Sequence, residues 1–309
     1  MKWFKSLPPK QAAVLALIIA NLIWGAASPI FKWALEDIPL FVLAYLRFFG
    51  ATLLMLPLVY KRDLRIPKPD IIPILGIAFF GITLNITFFF LGLKNTPSIN
   101  APIIASSGPI FLILFSILLL HERPKRKTII GTLISLLGVF IIIGRPLLEE
   151  GFSWTTIIGN LFLVIATLGA VAHTIFSKEM LKRISPIVIS FWSFSLGSLS
   201  FLPMFVYQSF QTNWLRSLHT PGIVGLVFGI VLSSFLAYLL YEWGVERIDA
   251  SETGVFTYID PVVATVIAIP LLGETITPLF ILGSFFVFSG IFVAEGRIHY
   301  HPFHKLKPH

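Results

Sequence analysis

The chain has 309 residues, of which 56% are hydrophobic and 12% are charged, and its mean hydropathy is +0.88. A soluble domain of this length has no use for so much apolar surface, because a single hydrophobic core stops growing near this size. The composition therefore predicts an integral membrane protein and excludes a soluble globular domain.

Cysteine is absent, which excludes disulfides, thiolate chemistry and Cys-based metal sites. The sequence also contains no paired Asp motif and no His-Glu spacing that would hold a metal ion. We therefore predict no cofactor, no metal site and no catalytic residue.

Ten apolar runs are long enough to cross about 30 Å of hydrocarbon at about 1.5 Å per residue. The first run is longer than the core of a signal peptide, so we expect it to be an uncleaved membrane helix. The predicted spans are 11–34, 39–59, 70–91, 98–120, 127–144, 155–177, 185–207, 221–243, 253–272 and 277–295. The predicted fold class is all-α, because helices satisfy their own backbone hydrogen bonds in lipid.

Lysine and arginine are concentrated in alternate loops. If both termini are cytoplasmic, 18 of the 23 lie in cytoplasmic segments, four lie in exterior segments, and Arg47 lies within a span. This asymmetry predicts a multi-pass protein of the cell (inner) membrane with both termini in the cytoplasm. The net charge of +8 does not indicate a nucleic-acid partner, because the cations are spread over short loops facing anionic lipid headgroups.

The two halves of the sequence repeat each other. A weaker match joins PIFKWALEDIPLFVLAYLRF, from Pro29, to TIFSKEMLKRISPIVISFWSF, from Thr174. An offset of 152 residues aligns Gly92 with Gly244, Pro109 with Pro261, Glu122 with Glu274, Gly131 with Gly283, Gly138 with Gly290, and Gly144 with Gly296. The chain is thus predicted to be a duplicated five-helix unit, with halves 1–144 and 155–309 joined by an exterior linker at 145–154.

Because five is an odd number, the second copy must enter the membrane from the opposite side. The two halves are then related by a pseudo-two-fold axis in the membrane plane, a geometry found mainly in secondary transporters. Helices five and ten are expected to pack peripherally through Gly131, Gly138, Gly283 and Gly290, since glycine rows let helices approach closely.

Several of these segments resemble one known family. They are WGAASPIFKWAL near the first span, YLRF in the second, the pattern from Pro109 to Glu122 followed by GTLISLLGVFIIIG, and its recurrence over 261–296. Together they resemble the EamA family of the drug/metabolite transporter superfamily over nearly the whole chain. The resemblance implies ten helices in two inverted repeats around a central cavity, and export of amino acids or related metabolites.

Asp260 is the most informative single residue. We expect it about 10 to 12 Å inside the hydrocarbon, where a lipid-facing carboxylate would cost a few kcal/mol, so it must face protein or water. Pro261 would break the helix and free a carbonyl one turn back, and Pro109 would make the same break without a charge. Asp260 is either a counterion for a substrate ammonium group or a proton-coupling site, or it is a neutral or paired residue that caps the break.

Three further charged residues are assigned structural or gating roles. Arg47 could pair with Asp260, bind a substrate carboxylate or hold a structural contact, and the structural role is favoured. Glu122 and Glu274 precede prolines, where a carboxylate favours the positive end of the next helix.

Other polar and aromatic residues within the spans are candidates for substrate binding. Asn21, Trp24 and Ser28 share one face of the first helix, which is more polar than lipid would tolerate. Each could instead form a helix-to-helix hydrogen bond or belong to an interfacial aromatic belt. The complete predicted binding set is Asn21, Trp24, Asn85, Ser106, Ser107, Tyr238, Tyr258 and Asp260.

The predicted function is secondary transport by a monomer in the bilayer, with a small-molecule substrate. A passive channel is the main alternative, although no charged ring or filter-like loop is apparent. An intramembrane enzyme is a weaker alternative, because the carboxylates are scattered along the chain.

Overall fold

The computed structural model describes residues 9–108, 110–111, 126–148, 153–181, 183–245, 247 and 254–294. Within these ranges the chain forms helices joined by turns and contains no strand. The predicted all-α class is therefore confirmed for the described part of the chain.

The helices overlap the predicted spans, several of them extending a few residues beyond, and are numbered accordingly. Their bounds are α1 Pro9–Ala34, α2 Leu40–Val59, α3 Lys68–Asn95, α4 Asn100–Ser106, α5 Arg126–Gly144, α6 Trp154–Met180, α7 Pro186–Gln211, α8 Thr220–Val227 continued by Phe228–Leu236 and Ala237–Val245, α9 Ile259–Leu272, and α10 Pro278–Ala294. Seven of them, α1 to α3 and α5 to α8, are long and apolar enough to cross a membrane. α9 and α10 are shorter, and residues 109 and 112–120 of the predicted fourth span lie outside the described residues. Ten spans therefore remain a prediction.

α3 and α8 each contain a π-helical segment, at Phe79–Leu84 and Phe228–Leu236. The two segments end 152 residues apart, and α-helix resumes at Asn85 and Ala237. The offset seen in the sequence is thus repeated in helix boundaries.

The chain divides into two compact units. The larger unit comprises residues 1–105 and 154–275, and the smaller comprises 106–153 and 276–309. The smaller unit therefore contains α5 and α10, while the larger contains α1 to α3, most of α4, and α6 to α9.

In the larger unit, helices from one half of the sequence pack on helices from the other half. α1 packs on α8 and α9, and α6 packs on α3. α2 packs on α7 and on the π segment of α8, and α7 packs on α3 including its π segment. If the halves are exchanged, so that α1, α2 and α3 become α6, α7 and α8, the contact of α1 with α8 becomes that of α6 with α3. The contact of α2 with α8 likewise becomes that of α7 with α3.

In the smaller unit, α5 and α10 cross closely at glycines. A Cβ atom added at Gly138 would lie 2.5 Å from the carbonyl oxygen of Gly283, and one added at Gly290 would lie 2.5 Å from that of Gly131. Real Cβ atoms do not approach backbone so closely, so these glycines permit the crossing. The predicted packing role of the glycines is confirmed for the contact of α5 with α10.

Candidate functional site

The start of α9 differs from the sequence prediction. The α-helix begins at Ile259, after a 3-10 turn over Gly254–Tyr258, so Asp260 and Pro261 both lie in its first turn. Proline suits the first turn because the N–H that it lacks has no intrahelical partner there. The predicted break inside a long helix at Asp260 and Pro261 is therefore wrong, and Pro261 instead helps to start α9.

Asp260 lies against α1 at Gly25. A Cβ atom added at Gly25 would be 2.9 Å from both the Cα atom and the carbonyl oxygen of Asp260, and 2.8 Å from the Cβ atom of Val263. The Oδ1 atom of Asp260 is buried and has no hydrogen-bond partner. Within the described residues, no cation forms an ion pair with this carboxylate. The first turn of α9 thus carries an acidic side chain with one buried oxygen atom and no ion-pair partner among the described residues.

α1 presents two more buried oxygen atoms on the face that contains Gly25. Asn21 is fully buried and donates from Nδ2 to the carbonyl oxygen of Leu17 at 2.8 Å, while its Oδ1 atom has no partner. The buried hydroxyl of Ser28 also has no partner. Because an unsatisfied buried polar atom costs about 1–3 kcal/mol, such a group needs a specific explanation, of which a ligand or water is one.

Trp24, next to Gly25 in sequence, joins α1 to the π segment of α8. Its indole N–H donates to the carbonyl oxygen of Ser233 at 3.1 Å. The ring centroid of Trp24 lies 5.2 Å from that of Tyr238 and 5.0 Å from that of Tyr241. The predicted site residues Trp24 and Tyr238 are therefore in contact, and Tyr241 completes a cluster of three aromatic side chains.

Arg47 of α2 also binds the π segment of α8. It is 4% exposed, and it donates from Nε to the Ser234 hydroxyl at 2.7 Å and from Nη2 to the Ser233 hydroxyl at 3.0 Å. The guanidinium lies over the rings of Phe31 and Phe48, 4.6 and 4.8 Å from their centroids. Arg47 and Asp260 do not form an ion pair. The contacts of Arg47 are those of a residue that holds α2 on α8.

The remaining predicted site residues are dispersed. Asn85 donates to the carbonyl oxygen of Ala166 at 2.7 Å and so joins α3 to α6. Ser106 and Ser107 are buried at the end of α4 and begin the smaller unit, and Tyr258 is half-buried immediately before α9. Pro109 and Glu122 lie outside the described residues.

Glu274 does not act at the start of the helix that follows it, as the sequence suggested. Gly273 ends α9 with a left-handed backbone (φ 65°), a conformation that favours glycine, and this reverses the chain direction. Glu274 then accepts hydrogen bonds from the backbone N–H of Ser98 at 2.6 Å and of Ile99 at 3.1 Å. It also pairs with the Nζ atom of Lys32 at 3.0 Å. We call the group of Lys32, Ser98, Ile99 and Glu274 the latch.

A polar network extends the latch to α6. Lys32 also donates to the carbonyl oxygen of Thr96 at 2.9 Å. The side chain of Asn160 on α6 accepts hydrogen bonds from Thr96 at 2.7 Å and from Asn100 at 2.9 Å. The latch and this network join the C-terminal part of α1, the turn between α3 and α4, α6, and the end of α9.

Sequence reasoning missed the serines that hold Arg47 and the partners of Glu274. Ser233 and Ser234 form the only adjacent pair of hydroxyl residues in the apolar stretch FGIVLSSFL, which is a weak signal. Ser98 and Ile99 bind Glu274 through backbone N–H groups, so their side-chain identities carry no signal at all.

Membrane-length apolar helices with buried polar side chains between them define a multi-pass helical membrane protein. The model of the EamA-like transporter family matches this chain twice, over residues 11–144 and again over 157–295. The chain therefore belongs to the EamA-like transporter family, which confirms the resemblance noted in the sequence and places the chain with transporters rather than with enzymes.

Similar proteins support the same assignment. An uncharacterized transporter of Archaeoglobus fulgidus is 29% identical over 286 residues, covering 92% of this chain and 98% of its own length. The uncharacterized transporter YetK of Bacillus subtilis is 27% identical over 290 residues, covering 92% of this chain and 87% of its own length. A crystal structure of another protein matches with a TM-score of 0.62 and 21% identity over 92% of this chain and 97% of that one, which shows the fold alone.

Proposed function

We propose that this protein is a secondary transporter that exports amino acids or related small metabolites by alternating access. Membership of a transporter family supports transport, and the EamA resemblance supports this class of cargo. The proposed architecture is ten helices in two inverted repeats, 1–144 and 155–309, around a central cavity, with 145–154 as the exterior linker.

The observation that carries the proposal is the exchange symmetry of helix contacts in the larger unit. Each contact of α1 or α2 with α8 has a counterpart of α6 or α7 with α3. The double match to one family model and the repeated helix boundaries support the same two-fold relation. Two similar halves of opposite orientation can exchange conformations, so that access to one side of the membrane is replaced by access to the other.

Two contacts of aspartate side chains are also related by the exchange of the two halves. Asp70, at the start of α3, binds Arg183 in the turn between α6 and α7 at 2.8 Å. Asp37, in the turn between α1 and α2, accepts from the backbone N–H groups of His219 and Gly222 at the start of α8, both at 2.9 Å. In the proposed topology these contacts lie on opposite sides of the membrane, as an inverted pair should.

The latch provides the proposed exterior gate. Lys32 is near the outer end of α1 and Glu274 is just beyond the end of α9, so outward opening must separate them. The contacts of Glu274 with Lys32, Ser98 and Ile99 support the predicted structural or gating role of this residue. The sequence repeat gives Glu122 the corresponding position in the other half. Asn21, Trp24, Tyr238, Tyr258 and Asp260 are proposed to contact substrate within the larger unit.

Cysteine labelling tests the proposed topology of a monomer in the cell (inner) membrane with both termini in the cytoplasm. Arg126 lies at one end of α5 and Leu148 lies just beyond the other end, and both are exposed. With a membrane-impermeant maleimide, R126C should react only from the cytoplasm and L148C only from the exterior. Reaction of both from the same side would contradict the topology.

Transport is tested by efflux from proteoliposomes that contain the purified full chain and are preloaded with single amino acids. We expect saturable efflux of at least one amino acid, measured with and without an imposed pH gradient. Efflux that rises linearly with concentration would indicate a channel, and no efflux of any amino acid would contradict the proposed cargo.

A further inference from the structure

The candidate site contains more hydrogen-bond acceptors than its protein donors satisfy. Asn21 Oδ1, Ser28 Oγ and Asp260 Oδ1 are all buried and have no partner. The N–H groups of Asn21 cannot donate to the oxygen of their own amide group, and one of them already donates to the carbonyl oxygen of Leu17. A ligand bound by the Asn21 amide oxygen and the Asp260 carboxylate must supply donors, and the Ser28 hydroxyl can either accept from it or donate to it.

These three atoms belong to one region of the larger unit. Asp260 lies against Gly25, and Asn21 and Ser28 lie one turn before and one turn after Gly25 on the same face of α1. The distance along α1 from Asn21 to Ser28 is about 10 Å, at about 1.5 Å per residue. A small metabolite can extend over this length.

Arg47, which the sequence suggested as a possible partner for a substrate carboxylate, already has protein partners. Arg47 uses Nε and Nη2 for the hydroxyls of Ser234 and Ser233, and its guanidinium lies over the rings of Phe31 and Phe48. A side-on bidentate bond with a substrate carboxylate, through Nε and Nη2, would have to displace Ser234, because Nε carries a single hydrogen. Asp260 would lose no protein contact on binding an ammonium group.

Aromatic side chains beside these acceptors also favour a cation. Trp24 is adjacent to Gly25, and its ring packs with those of Tyr238 and Tyr241. Indole and phenol faces attract ammonium groups through their quadrupoles. Buried acceptors and aromatic faces therefore favour the same chemical group.

From this arrangement we propose that the site selects its substrate by a protonated amino group, bound by Asp260 with Asn21 and Ser28, and that a substrate carboxylate is dispensable. This proposal rests on the transport function above and narrows its cargo to primary amines, with amino acids as the members that also carry a carboxylate. The carboxylate of a bound amino acid is then left without an obligatory ion pair to Arg47.

Three matched sets of compounds test the proposal on the purified full chain. Each set contains an amino acid, the amine without the carboxylate, and the acid without the amino group. The sets are alanine, ethylamine and propionate; leucine, isopentylamine and 4-methylpentanoate; and phenylalanine, phenethylamine and 3-phenylpropionate. Binding is measured as the ligand-induced rise in thermal midpoint, which needs no transport.

In at least one set, the amine should raise the midpoint as the amino acid does, and the acid should not. Asp260→Asn should weaken amine binding about tenfold or more, as expected for loss of a charge-assisted hydrogen bond. Asn21→Ala provides a second test if Asp260→Asn does not fold. Glu36→Gln, at an exposed carboxylate in the turn after α1, should bind like the unmodified protein.

Binding of an acid without its amine, binding of amino acids alone, or no binding by any of the nine compounds would each overturn the proposal. These results are separable from failure of the transport function. Amine binding without saturable efflux would contradict transport and support the site. Saturable efflux of one of the carboxylic acids, with no binding of any amine, would support transport and contradict the amino-group site.

Discussion

Glu274→Gln should open the latch. The Glu274 side chain is 8% exposed, accepts two hydrogen bonds from backbone N–H groups and forms one ion pair. Glutamine at this position would keep only one acceptor oxygen and no charge. A hydrogen bond to a charged group contributes about 1.5–3 kcal/mol, against about 1 kcal/mol for a neutral pair. The Lys32 side chain is 28% exposed, so its ion pair adds at most about 1 kcal/mol.

Together these losses amount to about 2–4 kcal/mol, which raises the ratio of open to closed molecules about thirtyfold or more. Because the chain has no cysteine, S98C provides a single reporter. Ser98 is fully buried, and its hydroxyl has no hydrogen-bond partner that the change would remove.

The labelling rate of S98C by an impermeant maleimide should rise at least tenfold in the Glu274→Gln background. Glu36→Gln is the matched control, because its carboxylate is on the same side of the proposed topology but outside the latch. Equal labelling rates in the Glu274→Gln and control backgrounds would refute the latch as a gate.

Three further changes test packing, the arginine site and the carboxylate. Gly138→Leu should lower folded yield sharply because its Cβ atom would meet backbone at 2.5 Å, whereas Gly144→Ala, with nothing within 4 Å, should not; similar yields would contradict the packing role. Arg47→Lys should lower the free energy of unfolding by about 1–3 kcal/mol, since lysine cannot replace the planar fork, and an unchanged thermal midpoint would count against this role. Asp260→Asn should leave the thermal midpoint nearly unchanged while altering transport, and unaltered uptake and pH response would reduce Asp260 to a structural residue.

The helix positions could be predicted from sequence because a bilayer demands long apolar runs, and the observed boundaries of α1, α2 and α5 to α8 agree with that demand. The π segments could not be predicted. The segment Phe228–Leu236 is apolar apart from Ser233 and Ser234, and such a composition is equally compatible with an α-helical and a π-helical turn.

The site was predictable in composition but not in geometry. Asn21 and Trp24 could be found because polar and aromatic residues at helical spacing are unusual in lipid. Pro261 was misread because a proline inside a helix and one in its first turn look alike unless the helix start is known. Glu274 was misplaced because its partners, Ser98 and Lys32, are 176 and 242 residues away in sequence.

Substrate counterflow tests alternating access most directly. Proteoliposomes containing the full chain are preloaded with an unlabelled amino acid that gives saturable efflux, and uptake of the same labelled amino acid is then followed. The account predicts a transient accumulation of label above its equilibrium level, because each inward step is coupled to an outward step through one site with alternating exposure. Simple approach to equilibrium, at a rate unaffected by the internal amino acid, would contradict it.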